Sequence, residues 1–170
     1  MTVKLLGALL VIACCGGLGL KMAGIYRREI TTLQGLEMVL LQMSSELQYR
    51  LTPLPTLCSL AAKSCSGTLS NALETFSYEL DTQVSPDTGQ CMAATLSRYP
   101  NLPPISKDLL QQFGNTAGRF DLEGQLTGIA YLHQECTRNL SELRKNRDAR
   151  LRNYQTLGLC AGAALVILFI

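Results

Sequence analysis

One histidine, seven cysteines and thirteen aspartate and glutamate side chains are this chain's stock for acid–base, nucleophilic or metal chemistry. Their spacing favours none of the three. His133 falls on the apolar stripe of a helix-forming stretch, with Glu135 and Cys136 close by in sequence. A Cys–His or Glu–His centre needs a third group to orient the base, and the sequence places none. A histidine on such a stripe reads more simply as a hydrogen-bonded core residue. The cysteines, Cys14, Cys15, Cys58, Cys65, Cys91, Cys136 and Cys160, contain no CxxC pair, whereas zinc sites draw on close pairs. Their odd number and irregular spacing fit reduced cytosolic thiols used as small buried hydrophobes, not a disulfide framework. Gly114-Asn115-Thr116-Ala117-Gly118 lacks the following Lys-Ser or Lys-Thr of a phosphate loop. A net charge of +2 is too small to indicate nucleic acid. The reading is of a protein that is not an enzyme, with no catalytic residue, metal, cofactor or small-molecule substrate.

The elements that carry these residues are set by two apolar ends, Leu5–Leu20 and Tyr154–Ile170. Each is long enough, or nearly so, to cross a bilayer. The first reaches a full span through Ile25 if Lys21 snorkels to the interface. Three segments are expected: a transmembrane helix over 1–25, a cytoplasmic helical domain over 26–153 and a second transmembrane helix over 154–170. Lys21, Arg27 and Arg28 follow the first span, and Arg144, Lys145, Arg147, Arg150 and Arg152 precede the second. That bias places the central domain in the cytoplasm, with both termini across the membrane. Gly158 with Gly162, and Ala13 with Gly17, are spaced for close helix packing in lipid. Other readings of the N-terminus are a cleaved signal peptide opened by Lys4 and a buried apolar hairpin. A further alternative is a lipoprotein acylated at Cys14, after Val11-Ile12-Ala13, with an extracytoplasmic helical domain.

The middle carries helical periodicity throughout. Ile30, Leu33, Leu36, Leu40, Met43 and Leu47 draw one stripe over 25–50, which Thr52-Pro53-Leu54-Pro55 ends. A short helix from Pro55 would turn Leu57, Leu60 and Ala61 inward. Ser64–Gly67 is a break, after which Thr68 or Ser70 would cap a helix striped by Leu69, Leu73, Phe76 and Leu80. Ser85 before Pro86 would cap the next, with Met92, Leu96 and Tyr99 inward. Pro100–Pro104 is the clearest linker and would divide the domain into two packed parts. Ser106 would cap a helix carrying Leu109, Leu110 and Phe113, ending at Gly118. Asp121 would cap a long helix whose seam is Leu122, Leu126, Ile129, His133, Cys136, Leu140 and Leu143.

Charge is divided between the parts. Residues 29–135 hold eleven acids against five bases, whereas 138–152 hold six bases against Glu142 and Asp148. Arg144, Lys145, Arg147, Arg150 and Arg152 would form a collar at lipid headgroups, worth about 1 kcal/mol per well-placed residue. The acidic part could meet a basic partner surface.

Glu46-Leu47-Gln48-Tyr49 followed by Thr52-Pro53-Leu54 is one distinctive pattern. Leu110-Gln111-Gln112-Phe113-Gly114 followed by Gly118, Asp121 and Gln125 is another. With the N-terminal Lys4–Gly7 and the C-terminal apolar tail, these resemble the stage III sporulation protein AB family across essentially the whole chain. Asn115-Thr116-Ala117 and Arg119-Phe120 depart from the more apolar or acidic residues expected there. The resemblance implies an all-α helical bundle like the cytoplasmic domain of type II secretion F proteins. It implies a place in a complex linking mother cell and forespore, in the mother-cell membrane around the forespore. An AA-type secretion ATPase, further membrane proteins of a channel and membrane lipids are the implied partners, and a homo-oligomer is compatible with it. The partner would dock at Tyr49, Pro53, Phe113, Gly114, Gly118, Asp121, Glu123 and Gln125.

Overall fold

Leu33, Leu36, Val39, Leu40, Met43 and Leu47 are all buried along one face of the first helix. In the computed structural model this helix, α1, runs Thr2–Arg50. Five more follow: α2 (Leu54–Ser64), α3 (Thr68–Asp81), α4 (Thr88–Arg98), α5 (Pro104–Thr116) and α6 (Leu122–Phe169). The structure describes residues 24–83, 86–118 and 120–145 with their side chains, and 2–23 and 146–169 as helical backbone alone. Among the described residues the fold is all-α, with no strand. Met1–Arg28 and Ser141–Ile170 make one compact unit and Glu29–Leu140 another. No helix among the described residues is long and apolar enough to cross a membrane. Both apolar runs, with Ala13, Gly17, Gly158, Gly162, Arg147, Arg150 and Arg152, lie outside the described side chains. Arg144 and Lys145 are described, and both are exposed.

Within Glu29–Leu140, α2 packs on α3, α3 on α4 and α4 on α5. The core is formed by α1, Leu57, Cys58 and Ala61 of α2, Leu69, Leu73 and Phe76 of α3, Met92 of α4, Leu109, Leu110 and Phe113 of α5, and Ile129, Leu132 and Cys136 of α6. Phe76 meets Phe113 edge to face, centroids 6.4 Å apart, a favoured aromatic geometry. α1 and α6 meet where the Cys136 thiol donates to the Leu33 carbonyl at 3.3 Å. One turn further, the Thr137 hydroxyl reaches Glu37 Oε1 at 3.1 Å. The Pro100–Pro104 stretch is a turn plugged by the buried Leu102, and the residues on both sides of it belong to the same compact unit.

The helix starts differ from several sequence expectations, each for a local reason. α3 starts directly after Gly67, whose φ of +72° only glycine adopts freely. Thr68 is therefore inside the helix, and the Ser70 hydroxyl instead donates to the Ala62 carbonyl at the end of α2. Asp87, not Ser85, caps α4 by accepting from the Gly89 N–H; Ser85 is outside the described residues. Ser106 does not cap α5, because Pro104 opens it two residues earlier, where no N–H is needed. The Ser106 hydroxyl ends up buried without a hydrogen-bond partner.

The seam of α6 is narrower than a heptad reading gives. Leu132 is buried, whereas Leu126, His133 and Leu143 are half-buried and Leu122 is exposed. Ile30, Leu60, Leu80 and Tyr99 are likewise half-buried, not fully inward. The Tyr99 hydroxyl meets Thr75 Oγ1 at 2.7 Å and the Asn71 carbonyl at 3.1 Å.

One carboxylate is internal. Glu79 is only 4% exposed. Its Oε2 accepts from the Thr95 hydroxyl at 2.8 Å, and Arg98 Nη2 stands 2.9 Å from Oε1. This ties α3 to α4, and removing one partner of such a group is far more costly than never having it.

Two predictions follow from this packing. A Cβ at Gly114 would stand 2.4 Å from Met92 Cβ. Gly114→Ala is expected to destabilise by about 2 kcal/mol, by forcing α5 off α4, read as a lowered urea midpoint. Glu29 lies where burial raises its carboxyl pKa above 4.5, with the Ile105 amide pulling the other way. The folded state therefore holds this proton more tightly than the unfolded chain does. Stability is lost as pH rises from 4.5 through the raised value. Glu29→Gln removes that loss and can still accept from Ile105. The variant's urea midpoint should gain on wild type between pH 4.5 and neutrality, and a pH-independent difference would contradict this.

Candidate docking site

Two chain reversals come together at one end of the Glu29–Leu140 unit. The first is the α1–α2 turn. Glu46 Oε1 stands 3.4 Å from Arg50 Nη1, and Oε2 accepts from the Thr52 hydroxyl at 3.3 Å. One carboxylate thus holds the residues on both sides of Leu51, whose φ is +51°. Pro53 then starts α2, its carbonyl accepting from the Leu57 N–H.

The second reversal is the α5–α6 corner. Gly114 lets α5 close onto α4. The Thr88 hydroxyl lies 2.8 Å from the carbonyls of both Gly114 and Ala117 and donates to one at a time. Gln111 Nε2 donates to the Gly89 carbonyl at 3.0 Å. Gly118 reverses the chain with φ +75°, as a helix-terminating glycine does. Asp121 Oδ1 accepts from the Gly124 N–H at 3.0 Å, capping α6. Gln125 Nε2 donates to the Phe120 carbonyl at 2.9 Å. Gly124 is required here, since a Cβ on it would press within 2.7 Å of Phe120 Cβ.

The two reversals face each other across a shallow apolar depression lined by Leu47, Leu54, Leu57, Phe113, Ala117 and Ile129, with Thr116 and Gln125 at its polar edge. On the two reversals Tyr49, Leu51, Phe120 and Leu122 are 80%, 65%, 56% and 40% exposed. The eight residues expected to dock a partner are thus neighbours, but not equivalent. Tyr49, Pro53, Gly118, Asp121 and Glu123 are on the surface, and Gln125 edges the depression. Phe113 and Gly114 are buried. They shape the corner from beneath and present nothing outward, which corrects their place among the contact residues. Leu51 and Phe120, exposed apolar residues on the same two reversals, are not among the eight. Leu51 follows directly on the helix end at Arg50, before Thr52-Pro53, where an apolar side chain has no core to enter; that was the available signal.

No group of His, Cys, Asp and Glu among the described residues is arranged to hold a metal. Cys58, Cys91 and Cys136 are free and buried. Burial pushes the Cys58 thiol far up, and burial with the Glu37 charge pushes Cys136 up to about 11. Neither forms a nucleophilic thiolate near neutral pH. His133 Nε2 is buried without a hydrogen-bond partner, so the hydrogen bond expected of a core histidine is not made at that atom.

A family model described as stage III sporulation protein AB matches residues 4–170. The chain belongs to the stage III sporulation protein AB family. Stage III sporulation protein AB of Bacillus subtilis (strain 168) is 28% identical over 170 residues, covering 97% of this chain and 98% of that one. A solved structure of a stage III sporulation protein AB is similar in fold, with a TM-score of 0.63 at 21% identity. It covers 72% of this chain and 98% of its own. Membership in this family implies a role in sporulation.

Gly118→Ala tests the corner itself. A Cβ there would have ordinary contacts, to Thr88 Cγ2 at 3.5 Å and Leu54 Cδ2 at 3.8 Å. The cost is therefore conformational, about 1 kcal/mol from the positive φ. A correspondingly lower melting temperature with unchanged helix content by circular dichroism is expected.

Proposed function

We infer that this chain is a non-catalytic, membrane-anchored subunit of a sporulation complex between mother cell and forespore. It docks a cytoplasmic secretion ATPase to membrane channel components. The observation that carries the reading is the span of the family match, residues 4–170, which takes in both apolar ends as well as the helical unit. The ends Leu5–Leu20 and Tyr154–Ile170 have the composition of membrane spans. The basic residues from Arg144 to Arg152 suit a collar at anionic headgroups on the cytoplasmic side. Ala13, Gly17, Gly158 and Gly162 would let these helices pack closely with each other or with other spans. The helical unit would act by position, holding its docking end for the ATPase in the mother-cell cytoplasm.

Membrane extraction and topology test it together. The chain should stay in the pellet through alkaline carbonate. A cysteine introduced at the exposed Ser66 should be shielded from impermeant thiol reagents in intact cells, and cysteines at either terminus should be labelled. Cys58, Cys91 and Cys136 are buried and should remain silent until denaturation. The ATPase should co-purify with the full-length chain. Release by carbonate, loss of the first twenty residues on maturation or lipid attachment at Cys14 would overturn the reading.

A further inference from the structure

Leu51 combines two features that the fold does not ask for. Its backbone is in the left-handed region, φ +51°, which any residue with a Cβ occupies at a cost. Its side chain is 65% exposed, so it gains nothing from the core in return. Among the described residues only one other non-glycine, Gln83, has a positive φ, and it is polar and exposed; at Gly118 the chain uses glycine. The turn around Leu51 is nevertheless held on both sides, since Glu46 engages Arg50 and Thr52. An apolar side chain is thus presented outward on a turn tied on both sides, and a contact group ordered before binding lowers the entropic cost of association.

On the second reversal Phe120 and Leu122 are exposed, beside the Asp121 cap and the hydrogen bond from Gln125 to the Phe120 carbonyl. Tyr49 extends the first turn's side. Both reversals thus carry exposed apolar side chains, and the depression they share is lined by Leu47, Leu54 and Ile129. Its surroundings are acidic. Glu46, Asp121 and Glu123 are at the two reversals, and Asp87 precedes Thr88, which binds the corner carbonyls. Against these four acids stand Arg50, engaged by Glu46, and Arg119 in the sequence.

We propose that this end of the helical unit is the ATPase-binding face, and that it takes a basic amphipathic segment of the ATPase. The segment's apolar side chains would enter between Leu51 and Phe120, while its lysines or arginines meet the acidic rim. This rests on the functional reading above and adds to it the place and chemistry of contact. An apolar seat fixes the docked position, and the acidic rim speeds and orients encounter.

The test measures binding of the purified full-length chain in nanodiscs to the purified AA-type ATPase of the same organism. Leu51→Gly should weaken binding about tenfold or more. Because glycine accepts the positive φ, the melting temperature should hold or rise. Loss of binding therefore cannot come from unfolding. Phe120→Ser should weaken binding similarly. Glu123→Lys should lower the association rate and reduce its salt dependence. Tyr78→Ser, at an exposed tyrosine on α3, should change nothing. If the unsubstituted chain binds and Leu51→Gly and Phe120→Ser bind equally well, this face is not the docking face and the functional reading survives. If the unsubstituted chain does not bind, both fail. If the two variants keep ATPase binding but lose binding to phosphatidylglycerol vesicles, the patch is a lipid contact and the proposal is overturned.

Discussion

The close approach of α5 to α4 at Gly114 is the constraint on which the candidate site depends. Met92 Cβ occupies the space that a side chain at position 114 would need. With the two backbones this close, Thr88 can reach the carbonyls of Gly114 and Ala117. Those are among the last carbonyls of a helix, which have no partner within it. Their satisfaction from a neighbouring helix fixes where α5 stops. From there Gly118 turns the chain and Asp121 starts α6. α6 then runs back to α1, where the Cys136 thiol donates to the Leu33 carbonyl. A glycine within a helix usually costs stability; here, in the last turn of α5, it is the condition for the corner.

The helices were legible because their apolar residues recur at three- and four-residue steps and are bounded by proline and glycine. The stripe from Leu33 to Leu47, the stop at Thr52–Pro55, the glycine at Gly118 and the cap at Asp121 all follow from local chemistry. The caps at Thr68, Ser85 and Ser106 did not follow, for a physical reason. Serine and threonine signal a helix start only when nothing nearer does it better, and Gly67, Asp87 and Pro104 each did. Within α6, spacing alone could not separate His133 from Leu132, since both lie near the same face; partner packing decided for Leu132.

The site was half legible. The sequence placed Tyr49–Pro53 and Gly114–Asp121 together, but periodicity reports which residues could be buried, not which are left out. Phe113 looks like a contact residue in a motif and is a core residue in space, edge to face with Phe76. Leu51 shows the opposite. Its type suggests burial, yet its position just past the last turn of α1 leaves it with no interior to enter. Charge was similarly ambiguous. Glu79 counts as one more acid in the sequence, but it is internal and engaged by Thr95 and Arg98, so it contributes to packing and not to the acidic surface.

A subunit that acts by position needs its contact groups fixed relative to its core, and its polar interactions fall where that need arises. Glu46 joins Arg50 to Thr52, Asp121 caps α6, and Gln125 returns to the Phe120 carbonyl. Each bond is modest alone, about 1 kcal/mol. Together they hold two reversals that the apolar core cannot reach, because reversals bury too little surface to order themselves. The strain at Leu51 belongs to the same economy. A turn that was merely a connection would favour glycine at a positive φ and a polar side chain at an exposed site. Leucine there is the poorer choice on both counts for folding, and it is the better choice for presenting an apolar group to a partner.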